Sequence, residues 1–230
     1  MRPAREGEDP VRLYRAIYRA ARRPNAAVTR LRVDGLHHIP EEGGLIVASN
    51  HLSWWDPVIL GTVLPRPIHF LAKKEVFRGP FTNWFFSSAG AIPVDRQKGG
   101  NIEALAAAVR VIETGGVVGI FPEGTRAAPG RTLPPRTGVA RLALATGAPV
   151  LPVAVLSDRF WGRGRATPRF GETVYVAVGP PVSFPRDPAA AADANVTPKV
   201  TADIFDRVVV ELGRAEAARA AGAAWPRMSF

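Results

Sequence analysis

The sequence predicts an α/β fold: a single domain with a mixed, mostly parallel sheet flanked by helices. Three observations carry this. Short apolar runs alternate with stretches of helical periodicity, the pattern left by strands joined through crossover helices. The chain has 230 residues, 47% of them hydrophobic, which suits one full core. Cysteine is absent, so no disulfide framework or thiolate metal site supplements that core, and a reducing compartment is compatible with the composition.

Taken in order, residues 9–23 read as a short amphipathic helix. Val11, Tyr14, Ile17, Tyr18 and Ala21 share one side, and Arg12, Arg15, Arg19 and Arg22 share the other. We treat residues 1–30 as a basic amphipathic segment and 31–230 as the α/β domain. The candidate strands are Leu45–Ala48, Ile68–Ala72, Ala91–Val94, Val117–Phe121, Leu151–Leu156 and Val174–Val178. A crossover helix is expected over Asn101–Thr114, where Ile102, Leu105, Ala106, Val109 and Ile112 recur at helical spacing and Gly115-Gly116 closes the segment. Thr137–Thr146, ended by Gly147, and Thr201–Ala220, with Ile204, Phe205, Val208 and Leu212 on one face, complete the helices. Pro180–Pro198 reads as a surface connection.

The formal net charge is +10, and 26 of the 30 basic residues are Arg, the four Lys being Lys73, Lys74, Lys98 and Lys199. Such a chain calls for an anionic partner: nucleic acid, an anionic membrane or a phosphorylated substrate. Nucleic acid fits worst, because the arginines are dispersed and no recognised nucleic-acid-binding basic helix or RNA-binding motif occurs. No run of about 18 apolar residues exists, and the first residues lack a signal-peptide apolar region. We therefore expect a protein that neither spans a bilayer nor is secreted.

The residues that carry chemistry cluster at strand ends. Ser49-Asn50-His51-Leu52-Ser53-Trp54-Trp55-Asp56 follows one apolar strand and precedes the run beginning Pro57-Val58-Ile59. That junction is where α/β folds place their sites. If Ser53 caps the next helix, Asp56 falls in the first turn and turns back toward His51. A carboxylate on one ring nitrogen fixes the tautomer and leaves the other nitrogen free to take a proton from an alcohol. The same spacing also matches a capping box, in which Asp56 serves only the helix start.

Gly119-Ile120-Phe121-Pro122-Glu123-Gly124-Thr125-Arg126 ends a second strand. Glycine lets a substrate approach the main chain, Glu123 can accept from a hydroxyl, and Arg126 can clamp a phosphate bidentately. Gly90-Ala91-Ile92-Pro93-Val94-Asp95-Arg96 ends a third strand with another cation, and Pro135-Arg136-Thr137-Gly138 opens a helix. Between the first and third of these, Phe77, Phe81, Trp84, Phe85 and Phe86 stand beside Lys73, Lys74 and Arg78, a combination suited to a bilayer interface or an acyl tunnel, though core packing accounts for such aromatics equally well. His37 and His38 would point apart on a strand and make a poor ligand pair. With His69 they read as structural, and no metal site is expected.

Asn50-His51 with Asp56, then Gly90–Arg96, then Phe121–Arg126, then Leu151-Pro152-Val153-Ala154-Val155 resemble the four ordered blocks of the glycerolipid acyltransferase family, which includes the bacterial 1-acylglycerol-3-phosphate acyltransferases. The resemblance runs from about Val33 to Val178. It implies His51 and Asp56 as the catalytic pair, Glu123, Gly124, Thr125 and Arg126 as the acceptor site, and Arg96 on the acceptor's phosphate, with Arg136 where relatives carry a basic residue. Ala127 departs from the serine common after that arginine. The reaction implied is direct transfer from acyl-CoA or acyl-ACP to a lysophospholipid hydroxyl, giving phosphatidic acid, with no cofactor beyond the thioester. The absence of Cys and of a Gly-x-Ser-x-Gly elbow agrees with transfer that forms no acyl-enzyme. The expected partners are an anionic membrane surface, on the cytoplasmic face and peripherally, and acyl carrier protein as one donor. Other acceptors that remain open are another lysolipid, glycerol 3-phosphate or a lipid-linked hydroxyl. A non-catalytic lipid- or anion-binding module is the alternative from another class.

Overall fold

Strand β2 (Leu45–Ser49) is buried along its whole length and sets the layer order. Leu45 and Val47 join one core cluster with Ile59, Leu60 and Val63, whereas Ile46 and Ala48 join the other with Ala104, Ala108, Val139, Leu142 and Ile204. Successive side chains of a strand point to opposite faces, so a strand apolar at every position needs cover on both sides. The computed structural model describes residues 28–95, 101–128, 131–158, 171–222 and 225–228. The amphipathic helix expected over 9–23 lies outside them, as does Arg96.

The described residues form a seven-stranded sheet. Its strands are β1 (Thr29–Asp34), β2, β3 (Ile68–Lys73), β4 (Ile92–Val94), β5 (Val117–Ile120), β6 (Val150–Ser157) and β7 (Glu172–Val178). Their order is β1-β7-β6-β2-β5-β3-β4, and every pairing is parallel except β6 with β7. The helices are α1 (Asp56–Val63), α2 (Pro80–Ser88), α3 (Asn101–Glu113), α4 (Gly138–Thr146) and α5 (Thr197–Ala220). α1 covers the first cluster, and α3, α4 and α5 cover the second. No helix among the described residues is long and apolar enough to cross a membrane.

Four elements differ from the sequence reading. β1 was not expected; it pairs with β7 from Thr29↔Glu172 onward, so the sheet starts ahead of the expected boundary at residue 31. His37 and His38 lie in a 3-10 turn (Leu36–His38), not on a strand, with ring centroids 4.0 Å apart. His38 Nδ1 instead bonds Val178 O at 2.9 Å. Of the aromatic segment, Phe81, Trp84, Phe85 and Phe86 fall on α2, whereas Phe77 ends a 3-10 turn ahead of it (Lys74–Phe77). α5 starts at Thr197, inside the expected connection, because Pro198 is compatible with a first helical turn, where its missing N–H is no loss.

The register decides where the loops meet. Ala48 of β2 pairs with Ile120 of β5, so the two strands end within one residue of each other at their carboxyl edge. His51 lies three positions beyond Ala48 and Glu123 three beyond Ile120. At the opposite edge Arg66 ties the loops together, its guanidinium donating to Pro40 O, Gly43 O and Gly115 O.

Candidate active site

The His51 loop is fixed from both sides before any ligand is considered. Asn50 on the buried side uses its amide twice, donating to Val155 O at 2.9 Å and accepting from Val155 N at 2.8 Å. That latch onto β6 holds the chain as it leaves β2. His51 N donates to Glu123 Oε1 at 3.1 Å, and Ala127 N donates to His51 O at 2.8 Å. The main chain of His51 is thus held by the loop after β5.

Asp56 turns back as the spacing requires. Its Oδ2 accepts from His51 Nδ1 at 2.9 Å, from Leu52 N at 2.7 Å and from Ser53 N at 2.7 Å. A carboxylate only accepts, so Nδ1 carries the proton and Nε2 is left as the basic nitrogen. Asp56 is 1% exposed and His51 19%, which puts the anion in the protein and the imidazole at the edge of solvent. Ser53 does not cap α1. Trp55 stands at the N-cap, and Ser53 Oγ accepts from Trp55 N at 3.1 Å. The capping reading and the pairing reading are therefore both realised in part, by one oxygen of Asp56.

The imidazole is also oriented by ring contact. It stacks on Phe121 at 4.1 Å and 18°, and Phe121 stacks on Phe70 at 5.6 Å and 8°. Gly119 makes room for this row: a Cβ there would fall against the Phe70 ring and the Ile68 side chain. The sequence pattern gives Phe121 no role of its own within its motif. An aromatic directly beyond a buried strand and ahead of Pro-Glu-Gly was the available signal.

His51 lines a cleft of about 980 Å³. Val58, Ile68, Phe70, Val76, Phe86 and Leu105 give part of its apolar wall, and Gly124, Thr125, Arg126 and Arg136 also line it. Of the expected site residues, the structure therefore brings His51, Gly124, Thr125, Arg126 and Arg136 to one cavity, with Asp56 behind His51. Arg126 lies with its guanidinium carbon 4.9 Å from the centre of the Trp54 ring, a cation–π contact that positions the charge. Gly124 has φ +67°, and Arg136 packs so closely over it that a Cβ would sit 2.9 Å from both Cδ and Nε. Ala127, where a serine was expected, is buried and contributes its N–H to His51 O.

Glu123 is turned away from the role expected of it. It is 3% exposed, and both its oxygens take main-chain donors, His51 N and Leu133 N, the latter at 2.9 Å. Burial raises its pKa, opposed by those two hydrogen bonds. The geometry makes it a brace between the two site loops. Of the aromatic segment, Phe86 lines the cleft while Phe81 and Trp84 are 72% and 56% exposed. Among the described residues no cluster of His, Asp and Glu is arranged to hold a metal.

A buried carboxylate behind an imidazole, at the carboxyl edge of a mostly parallel sheet and facing an apolar cleft with guanidinium groups, defines a class. It is that of α/β proteins with an imidazole–carboxylate pair at the wall of an apolar cleft that also carries guanidinium groups. The chain belongs to the acyltransferase family, whose model, described as Acyltransferase, matches residues 30–156. It is 33% identical over 125 residues to the 1-acyl-sn-glycerol-3-phosphate acyltransferase of Bacillus subtilis, covering 54% of this chain and 61% of that protein. It is 31% identical over 169 residues to the Pseudomonas aeruginosa protein of the same name, covering 72% and 65%. The match thus spans less than two thirds of the length of these relatives. A crystal structure of the 1-acyl-sn-glycerophosphate (LPA) acyltransferase PlsC from Thermotoga maritima superposes with a TM-score of 0.65 and 26% identity, over 87% of this chain and 79% of that one.

Proposed function

We propose that this protein transfers a fatty acyl group from a thioester, acyl-CoA or acyl-ACP, to the free hydroxyl of 1-acyl-sn-glycerol 3-phosphate, giving phosphatidic acid. The observation that carries the reading is the 2.9 Å bond from His51 Nδ1 to a buried carboxylate, with the ring at the wall of a largely apolar cleft. The relatives' names supply the acceptor.

His51 Nε2 takes the proton of the acceptor hydroxyl as its oxygen attacks the thioester carbonyl. The carbonyl carbon gains the C–O bond, the C–S bond breaks, and the imidazolium returns the proton to the departing thiolate. Asp56 stabilises that imidazolium and keeps the tautomer. Glu123 acts as a positioning residue, since it holds His51 N and the loop at Leu133 together. Gly124, Thr125, Arg126, Arg136 and Arg96 bind the acceptor, the arginines through its phosphate. No cofactor beyond the acyl thioester enters this chemistry. The protein works peripherally on an anionic membrane, at its cytoplasmic face. The net charge of +10 supports this, as do Phe81 and Trp84, exposed near the exposed Lys73, Lys74 and Arg78.

The test is thiol release from acyl-CoA in the presence of 1-acylglycerol 3-phosphate, with wild type and His51→Ala. Wild type is expected to release thiol and the variant to release none above background. Equal rates would remove the mechanism. Arg126→Ala should act mainly on the acceptor's KM.

A further inference from the structure

One cation in the cleft belongs to none of the motifs discussed so far. Arg141 sits one turn into α4, and its side chain lines the cleft together with Arg136, Thr137, Gly138 and Leu142. Its Nε is buried and has no hydrogen-bond partner, the one guanidinium nitrogen of which this holds among the described residues. Three arginines elsewhere in the fold have protein acceptors: Arg66 has three carbonyls, Arg214 has Glu211 and Asp34, and Arg32 has Trp225 O.

A guanidinium nitrogen withdrawn from water without an acceptor destabilises the fold, so a native structure that keeps one calls for a compensating role, the binding of an ion or ligand among them. The missing partner is an acceptor, and the group offering the donors is cationic, so the complement is an anion. The planar fork of arginine matches phosphate oxygens. Arg136 lines the same cleft, and α4 begins there with no side-chain cap on its first turn. The positive end of the helix and both guanidinium groups thus favour the same sign of charge. Of the acidic residues near the cleft, Asp56 and Glu123 already accept from His51, Leu52, Ser53 and Leu133, and no carboxylate pairs with Arg141 among the described residues.

We infer that Arg141 is a phosphate-binding residue of the cleft, completing its hydrogen bonding on a phosphate monoester carried by one of the two substrates. This rests on reading the cleft as an acyl-transfer site, but its first test does not. In a His51→Ala background, where turnover is removed and the cleft is kept, glycerol 3-phosphate is titrated while thermal unfolding is followed. The parent should be stabilised by the ligand. Arg141→Gln should bind it about ten- to hundred-fold more weakly, the loss expected for a charge-assisted contact. Arg141→Lys should fall between. Without ligand, Arg141→Gln should unfold no earlier than the parent, because it removes a buried, unpartnered donor; a purely structural arginine would lower that temperature. Ligand-induced stabilisation equal in parent, Arg141→Gln and Arg141→Lys overturns the inference.

Kinetics on the active protein then assign the source of the phosphate. A rise in KM for 1-acylglycerol 3-phosphate but not for 1-acylglycerol places it on the acceptor. A rise for acyl-CoA but not for an acyl-pantetheine places it on the donor. No change in any of the four KM values also overturns the inference. Failure of His51→Ala to abolish transfer would count against the general-base reading alone and leave the binding result standing.

Discussion

Replacing Asp56 separates its two roles. One oxygen accepts from His51 Nδ1, Leu52 N and Ser53 N. Asp56→Ala leaves the two main-chain donors unpartnered at a site 1% exposed, at about 1–3 kcal/mol each, or about 2–6 kcal/mol together. A domain is stable by only about 5–15 kcal/mol, so this variant should lose activity largely by unfolding. Asp56→Asn is the informative change. Its amide oxygen can occupy the position of Oδ2 and keep all three bonds, while its nitrogen falls where Oδ1 now has no hydrogen-bond partner. Burial of that unpartnered amide costs about 1–3 kcal/mol, and the negative charge facing the imidazolium disappears. The acyl-transfer rate should then fall by about 10²–10⁴-fold, the range for general-base catalysis, in a protein that is still folded at room temperature. The assay is the initial rate of thiol release per folded molecule, with the folded fraction taken from urea unfolding. A folded Asp56→Asn protein working at the wild-type rate would show that Asp56 only shapes the loop, and the proton-transfer argument would fall.

Further outcomes follow from the loops around the pair. Glu123 holds its proton more tightly in the fold than in the unfolded chain, where the ordinary value is 4.5. Its contribution is therefore most favourable on the acid side and declines as pH rises through the raised folded value. Glu123→Gln should abolish that part of the pH dependence, and should destabilise by about 1–3 kcal/mol at low pH by turning an amide N–H against a main-chain N–H, both read by thermal unfolding across pH. Gly124→Ala should cost about 1–2 kcal/mol for a side chain at positive φ and displace Arg136, raising the acceptor's KM more than it lowers kcat. Gly119→Ala should push Phe70 off Phe121, destabilise by about 1–3 kcal/mol through overpacking, and lower kcat by loosening the ring against which His51 stacks; unchanged kcat would refute the stacking role.

The sequence by itself determined whatever depends on neighbours along the chain. Six of the seven strands were legible because each is an apolar run short enough to be a strand and bounded by turn residues. The link between His51 and Asp56 was legible because the residues are five positions apart across one loop, so a short chain can close on itself whatever the rest of the fold does. β1 is not legible in that way because its buried residues, Thr29, Leu31 and Val33, alternate with Arg30 and Arg32, and its place depends on β7, far along the chain. Tertiary structure alone decided that β5 lies against β2 with Ala48 level with Ile120. That register converts the acid of the second motif from an expected ligand for a hydroxyl into a brace for His51 N. It also decided that Arg141, indistinguishable in sequence from any other helical arginine, faces the cleft without a partner for its Nε. Hydrogen bonds and desolvation act over a few ångströms, and which groups come that close is set by strand order and packing, quantities that no local pattern of residues encodes.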